Sequence, residues 1–378
     1  MSIRAVELLD FLLQQGVEFF TGVPDSLLKD FCAAVDDRLP VERHVIAPNE
    51  GSAVALAAGY HLSTGTLPLV YMQNSGLGNA VNPLLSLCAP EVYAIPMLVM
   101  VGWRGEPGVK DEPQHLKQGQ IQCDLLNAMG VPYCILSKTD NDPVYMISLG
   151  LRTALSKNQP FVLLLRKGVF TSEKRASGLP APAFSREAAL KVLVGQLDAN
   201  AVVVATTGKA SRELFEIRAH RREGHEQDFL TVGSMGHASA IALGIALAQP
   251  ERSVYCVDGD GALLMHMGIL PTIGKCRPRN FKHILINNGV HESVGGQATA
   301  INTVSLSEVV RGSGYRRCFH ADSEEGLKHI LNKLRQVDGP AFLEVVVQPG
   351  SRVDLGRPTV STTANKAAFM DFLHDQVV

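Results

Sequence analysis

The 378-residue chain sets 35 lysines and arginines against 37 aspartates and glutamates, and without a long basic tract it offers no nucleic-acid surface. That length suits two domains of ordinary size, each able to bury a core. Seven cysteines (32, 88, 123, 134, 256, 276 and 318) are scattered, odd in number and without a CxxC pair, which points away from a disulfide framework or a zinc site and toward a reducing cytoplasm. In chain order, MSIRAVELLDFLLQQG sets Val6, Leu9, Leu12 and Leu13 between Glu7, Asp10 and Gln14, the pattern of an amphipathic first helix rather than a signal peptide. The apolar run 94–103 is too short to cross a bilayer and contains Pro96, so a membrane is not an expected partner.

Through residue 170, short apolar runs (EFFTGV, RHVIA, LPLVYM, AIPMLVMV, PYCILS and FVLLLR) alternate with helical patterns. Such alternation predicts an α/β domain, a doubly wound parallel sheet covered on both faces, over 1–170. Residues 171–187 are rich in Ser, Pro, Ala and charge and read as a linker. Alternation then resumes over 188–378 with AVVVATTG, DFLTVG, SVYCVDGDG, HILINN, RRCFHA and AFLEVVV.

Two of these runs end in distinctive residues. Gly259-Asp260-Gly261 closes one apolar run and Asn287-Asn288 closes the next, so both motifs belong at carboxyl strand ends, where open α/β sheets bind ligands. Asp260 supplies a carboxylate oxygen and Asn288 an amide oxygen, while Gly259 and Gly261 allow close backbone approach to phosphate; a magnesium ion held by few protein ligands plus phosphates suits this set. Two ordinary turns are the alternative.

The spacing of Gly-Asp-Gly and Asn-Asn, roughly 25 residues, resembles the signature of thiamin-diphosphate enzymes. The resemblance implies two domains of the thiamin-diphosphate-binding fold, pyrimidine-binding then diphosphate-binding, with no middle domain. It assigns Mg²⁺ to Asp260, Asn288 and the carbonyl of Val290, and the diphosphate to Gly259, Gly261 and Ala262. Glu50, just after the strand RHVIA and at the start of a small-residue helix, matches the glutamate beside the aminopyrimidine ring; a plain role at that helix's positive end is the alternative. In GSMGHAS, Gly233 and Gly236 flank Met235, which matches the residue wedged under the bent cofactor, and His237 is placed toward the diphosphate. Glu50 of one chain and Asp260 of another are expected to meet at one cofactor, which implies a homodimer or a multiple of it.

Longer segments narrow the family. GVPDSLLKDF (22–31), QNSGLGNAVNPLLSL (73–87), GWRGEPGVKDEPQH (102–115), TTGKASRELFE (206–216) and NNGVHESVGGQ (287–297) resemble the phosphonopyruvate decarboxylase family, with sulfopyruvate decarboxylases as close kin. The implied reaction is decarboxylation of 3-phosphonopyruvate to phosphonoacetaldehyde in phosphonate biosynthesis. A multiply charged 2-oxo acid needs cationic donors and backbone amides, and Arg104, Lys110 and His115 lie on a Gly/Pro-rich loop suited to a site rim. Asn74 and Ser75, in a Gly-rich turn, and Glu292 are further candidates for substrate contact. Asp25, His115 and His291 are candidate proton carriers beside Glu50; Asp25 also suits the cap of a helix starting at Ser26–Leu27. Fusion of both domains in one chain favours phosphonopyruvate over sulfopyruvate. A non-catalytic subunit of the same fold is a more distant alternative, and a Rossmann dehydrogenase lacks its GxGxxG in either half.

Overall fold

The computed structural model describes residues 3–140, 142–171 and 184–374. The greater part of the expected linker, 172–183, lies outside the described residues. The chain divides into two compact units, Met1–Ala176 with Ser293–Gln297, and Ser177–Glu292 with Ala298–Val378.

In the first unit six strands form: β1 (Phe20–Gly22), β2 (His44–Ile46), β3 (Leu69–Gln73), β4 (Met97–Gly102), β5 (Tyr133–Leu136) and β6 (Pro160–Leu165). They lie in the order β2-β1-β3-β4-β6-β5, every pairing parallel. A parallel sheet must be covered on both faces, and β4 shows how the sequence provides this. All six of its residues are buried; Leu98 and Met100 join one apolar cluster, while Met97, Val99 and Val101 join the other. Chain order reverses between β1 and β3, so their carboxyl ends open a crevice at a topological switch point. Asp25 follows β1 and Asn74 follows β3.

Helix ends in this unit are written locally. Asn49 caps the helix Glu50–Thr64 by accepting the Ser52 N–H at 2.9 Å, and Gly65 closes it at φ 72°, the left-handed geometry that glycine adopts without strain. One expectation needs correction: no helix starts at Ser26–Leu27. The helix there is Lys29–Arg38, because Asp25 accepts the Leu27 N–H at 3.1 Å and folds 25–28 into a turn first.

The second unit repeats the plan with β7 (Val202–Ala205), β8 (Asp228–Leu230), β9 (Val254–Gly259), β10 (Phe281–Asn287), β11 (Arg317–Ala321) and β12 (Ala341–Val346). Their order is β11-β12-β10-β9-β7-β8, again all parallel. On β9, Tyr255 and Val257 face one apolar cluster, Val254 and Cys256 the other. Its first helix, Arg186–Val194, is capped by Ser185, whose Oγ accepts the Ala188 N–H at 3.1 Å. Ordered helix thus begins within the last residues of the expected linker. Register pairs Gly259 with Ile286, which brings the carboxyl ends of β9 and β10 side by side and sets Asp260 beside the loop that carries Asn288.

Candidate active site

In the first unit, Glu50 opens its helix directly after β2 and is only 5% exposed. Its Oε2 accepts a hydrogen bond from Asn79 Nδ2 at 2.8 Å. On its other side lies Gly76, where any Cβ would overlap the carboxylate. Glycine at 76 is therefore required by Glu50 itself, a reason separate from the turn geometry read in the sequence. Asn79 was not singled out in the sequence, although it directly follows Gly78 at the end of the Gly-rich segment.

In the same unit, Asp25 is fully buried. Oδ2 holds the Leu27 N–H, Oδ1 has no hydrogen-bond partner, and Gly102 at the end of β4 leaves the space the carboxylate occupies. Burial pushes its carboxyl up to about 6, against the opposing pull of the Leu27 N–H and the Arg104 charge. Asn74 is buried and grips the backbone of Arg104 on both sides: Nδ2 donates to the Arg104 carbonyl at 2.8 Å and Oδ1 accepts its N–H at 3.1 Å. Asn74 thus shapes the loop, while the neighbouring Ser75 is half-buried. His115, on the helix Pro113–Gln120, is 9% exposed with Nδ1 unpartnered. Burial, helped by the Arg104 charge, pushes the imidazole down to about 4.

Arg104 differs from its expected role as an open anion receptor. Its guanidinium forks onto Asp111, Nε to Oδ2 at 2.8 Å and Nη2 to Oδ1 at 2.5 Å, and Nη1 donates to Ser26 Oγ at 2.9 Å. Asp111 neutralises that charge and also accepts the N–H groups of Gly105 and Glu112. A cavity of about 210 Å³ opens beside this fork, lined by Ser26, Leu27, Trp103, Arg104, Lys110, Asp111 and Lys167 among others. Lys110 is exposed on its rim. Trp103 is buried in the wall, its Nε1 donating to the Gly119 carbonyl at 2.9 Å and the Arg166 guanidinium lying 5.8 Å from its ring centroid.

In the second unit, Asp260 opens the helix Asp260–Met265 and is 5% exposed. Thr299 Oγ1 donates to its Oδ2 at 2.9 Å. Burial raises its carboxyl, opposed by Thr299 and by the N–H groups of Gly261 and Gly289. Asn288 follows β10; its Oδ1 accepts the Val290 N–H at 3.2 Å. Gly289 turns at φ 71° and its carbonyl accepts the Thr299 N–H at 2.8 Å, which ties the Asn288–Val290 loop to the residue that holds Asp260. Thr299 carried no motif in the sequence.

Around these oxygens the predicted cofactor residues gather unequally. A Cβ on Gly261 would lie 2.9 Å from His291 Cε1 and 3.4 Å from Met235 Cε, so Met235, Gly261 and His291 share one wall, and a Cβ on Gly259 would meet nothing nearer than Thr206 Cγ2 at 3.9 Å. Ala262 is buried on the same short helix and Gly233 is half-buried. His237 is exposed, its ring tilted at 46° against His266 with centroids 4.2 Å apart and its Nδ1 turned toward Ser234. Burial pushes His291 down to about 4. Glu292 has partners of another kind than substrate: Oε1 takes Lys209 Nζ at 2.7 Å, and Oε2 takes Arg186 Nη1 at 2.8 Å and Asn288 Nδ2 at 2.9 Å. Burial would raise its carboxyl, but Arg186 and Lys209 outweigh that and hold it down at about 2.

A carboxylate, an amide oxygen and a backbone carbonyl form a hard-oxygen set, and the open space beside Gly259 leaves room for phosphate; Asp260, Asn288 and Val290 therefore fit a magnesium–diphosphate group. A second polar cluster lies deeper in the sheet. Cys256, Asp258 and His283 bring their ligand atoms within 4.8 Å of one another, all buried. His283 Nδ1 lies 3.1 Å from the Tyr315 hydroxyl, while its Nε2 faces Asp258 Oδ2 at 3.5 Å and neither of those two atoms has a hydrogen-bond partner.

Residues 5–129 match the N-terminal TPP binding domain of thiamine pyrophosphate enzymes, and residues 206–345 match the C-terminal TPP binding domain. A phosphonopyruvate decarboxylase of Streptomyces viridochromogenes is 37% identical over 98% of this chain and 95% of its own length. Another, of Streptomyces hygroscopicus, is 37% identical over 98% of this chain and 94% of its own. A sulfopyruvate decarboxylase of Methanosarcina acetivorans is 27% identical over 91% of each chain. That single-chain relative removes domain fusion as a reason to prefer one substrate; the higher identity to the phosphonopyruvate enzymes takes its place. On the full-length match, the chain belongs to the phosphonopyruvate decarboxylase family of thiamin-diphosphate-dependent carboxy-lyases.

Proposed function

We propose that this protein decarboxylates 3-phosphonopyruvate to phosphonoacetaldehyde and carbon dioxide, with thiamin diphosphate and Mg²⁺, in phosphonate biosynthesis. The observation that carries the reading is the hard-oxygen set of Asp260, Asn288 and Val290 at the ends of β9 and β10, in a chain whose other unit buries Glu50 at the end of β2. Asp260, Asn288 and the Val290 carbonyl hold the metal, Gly259, Gly261 and Ala262 admit the diphosphate, Met235 supports the thiazolium ring, and Glu50 holds a proton at the aminopyrimidine. When bound, the cofactor supplies the electron sink that lets carbon dioxide leave.

The pKa directions sort the proton carriers. An imidazole lowered to about 4 is neutral at pH 7, so His115 and His291 serve as hydrogen-bond groups rather than as acids. Asp25, raised to about 6, is the group matched to proton delivery near neutrality. Arg104, already neutralised by Asp111, shapes the cavity, and Lys110 on its rim meets the phosphonate. A non-catalytic subunit has no use for a buried Glu50 together with the metal oxygens.

No helix among the described residues is long and apolar enough to cross a membrane, and a cytoplasmic homodimer completes the proposal. Its support is apolar exposure on Leu62 (71%), Tyr93 (70%) and Leu247 (53%), which sedimentation at several protein concentrations tests. The activity test compares kcat/KM for phosphonopyruvate, sulfopyruvate and pyruvate after chelation and dialysis, with Mg²⁺ and cofactor returned singly and together. Turnover of phosphonopyruvate that needs both is expected; turnover that survives their removal, or a preference for sulfopyruvate, overturns the corresponding part.

A further inference from the structure

We propose that Glu292 is a positioning residue for the metal site: it fixes which face of the Asn288 side-chain amide is turned to the cation, and Arg186 and Lys209 hold it in place for that purpose. The inference rests on the magnesium reading above. An asparagine amide presents either an oxygen or an NH₂ group, and only the oxygen ligates a cation. A carboxylate accepts hydrogen bonds and cannot donate, so the 2.9 Å contact from Asn288 to Glu292 Oε2 commits the NH₂ group to that side. The Val290 N–H, donating to Asn288 Oδ1 at 3.2 Å, agrees with the same orientation.

Glu292 is itself built in. Lys209 holds Oε1 at 2.7 Å, and Arg186 reaches Oε2 at 2.8 Å while its other two nitrogens fork onto Glu213 at 2.7 and 2.8 Å. Two cations and two carboxylates balance, and Glu213 and Arg186 are buried. Both oxygens of Glu292 are thus occupied, and a fixed anion there would repel an anionic substrate. The arrangement has the form of outer groups that orient a metal ligand, whose loss typically costs 10–100-fold in metal affinity.

Mn²⁺, read by electron paramagnetic resonance in the presence of thiamin diphosphate, probes the site directly. Glu292→Ala is expected to weaken Mn²⁺ binding about 10–100-fold, and Glu292→Gln, which keeps one oxygen for three donors, to fall between it and wild type. KM for the 2-oxo acid at saturating metal stays unchanged. The deciding measurement repeats both changes on Asn288→Asp, whose two oxygens make orientation irrelevant: there, removing Glu292 leaves Mn²⁺ affinity the same or raises it. Equal losses in both backgrounds, undiminished affinity in the Asn288 background, or a rise in KM alone overturns the proposal. Should Glu292→Ala fail to fold, Glu292→Gln in the two backgrounds decides the same question. Wild-type protein that binds no Mn²⁺ overturns the magnesium reading and this inference with it, whereas wild type that binds while all variants match it overturns the inference alone.

Discussion

Asp25 and Glu292 are both acidic side chains withdrawn from water, and their surroundings tune them in opposite directions. Asp25 has a backbone N–H on one oxygen, nothing on the other and Arg104 only at a distance, so desolvation dominates and the carboxyl rises to about 6. Glu292 bonds two cations and an amide, and falls to about 2. The difference teaches that burial alone does not mark a proton carrier, because enough bonded cations can reverse the direction in which burial moves a carboxyl. The paired carboxylate is fixed in one state and holds geometry.

The comparison can be broken in several places. Glu50→Gln replaces the carboxyl by an amide while keeping the Asn79 contact, and kcat is expected to fall by about 10²–10⁴ with cofactor affinity retained; single-turnover assays beside cofactor titration check it. Arg186→Leu strips the paired side of its central cation and leaves Glu213 and Glu292 facing each other, so unfolding in urea should show a loss of about 3–5 kcal/mol. On the unpaired side the sign reverses. The folded-state pKa of Asp25 lies above its unfolded value of 3.8, so folding is unpenalised below about pH 4 and progressively loses stability as pH rises toward 6. Asp25→Asn should therefore lose turnover yet gain stability at pH 7, by at most about 3 kcal/mol, and its melting temperature should fall less than wild type's between pH 4 and pH 7. Gly102→Ala pushes a methyl into the Asp25 carboxylate and is expected to cost about 1–3 kcal/mol. Ser185→Ala, which touches only the cap of the helix that begins with Arg186, should cost about 1 kcal/mol.

Much of the fold was legible because each strand is an uninterrupted apolar run: β4 and β9 face core on both sides, and nothing about their partners is needed to recognise them. Asp260 and Asn288 were legible for a related reason, since glycine and asparagine punctuate the ends of such runs. What stayed hidden depends on which strands become neighbours. Arg186 meets Glu292 across 106 positions of sequence, a pairing that exists only after β7, β9 and β10 assemble. Asp111 took the charge of Arg104 through a loop with no periodicity, and Cys256 met His283 because β9 and β10 pair them in register. The helix expected at Ser26 started at Lys29 because Asp25 spent its oxygen on a turn.

The chain contains one tryptophan, and it stands in the wall of the first unit's cavity, under the guanidinium of Arg166. The protein therefore carries its own optical reporter. Emission from Trp103 is the whole indole signal and arises from a single microenvironment, and if the proposed phosphonate contact at Lys110 is right, an arriving substrate would perturb the field around the ring. Quenching or a spectral shift on stopped-flow mixing would time substrate arrival separately from chemistry, with no label and no coupled assay.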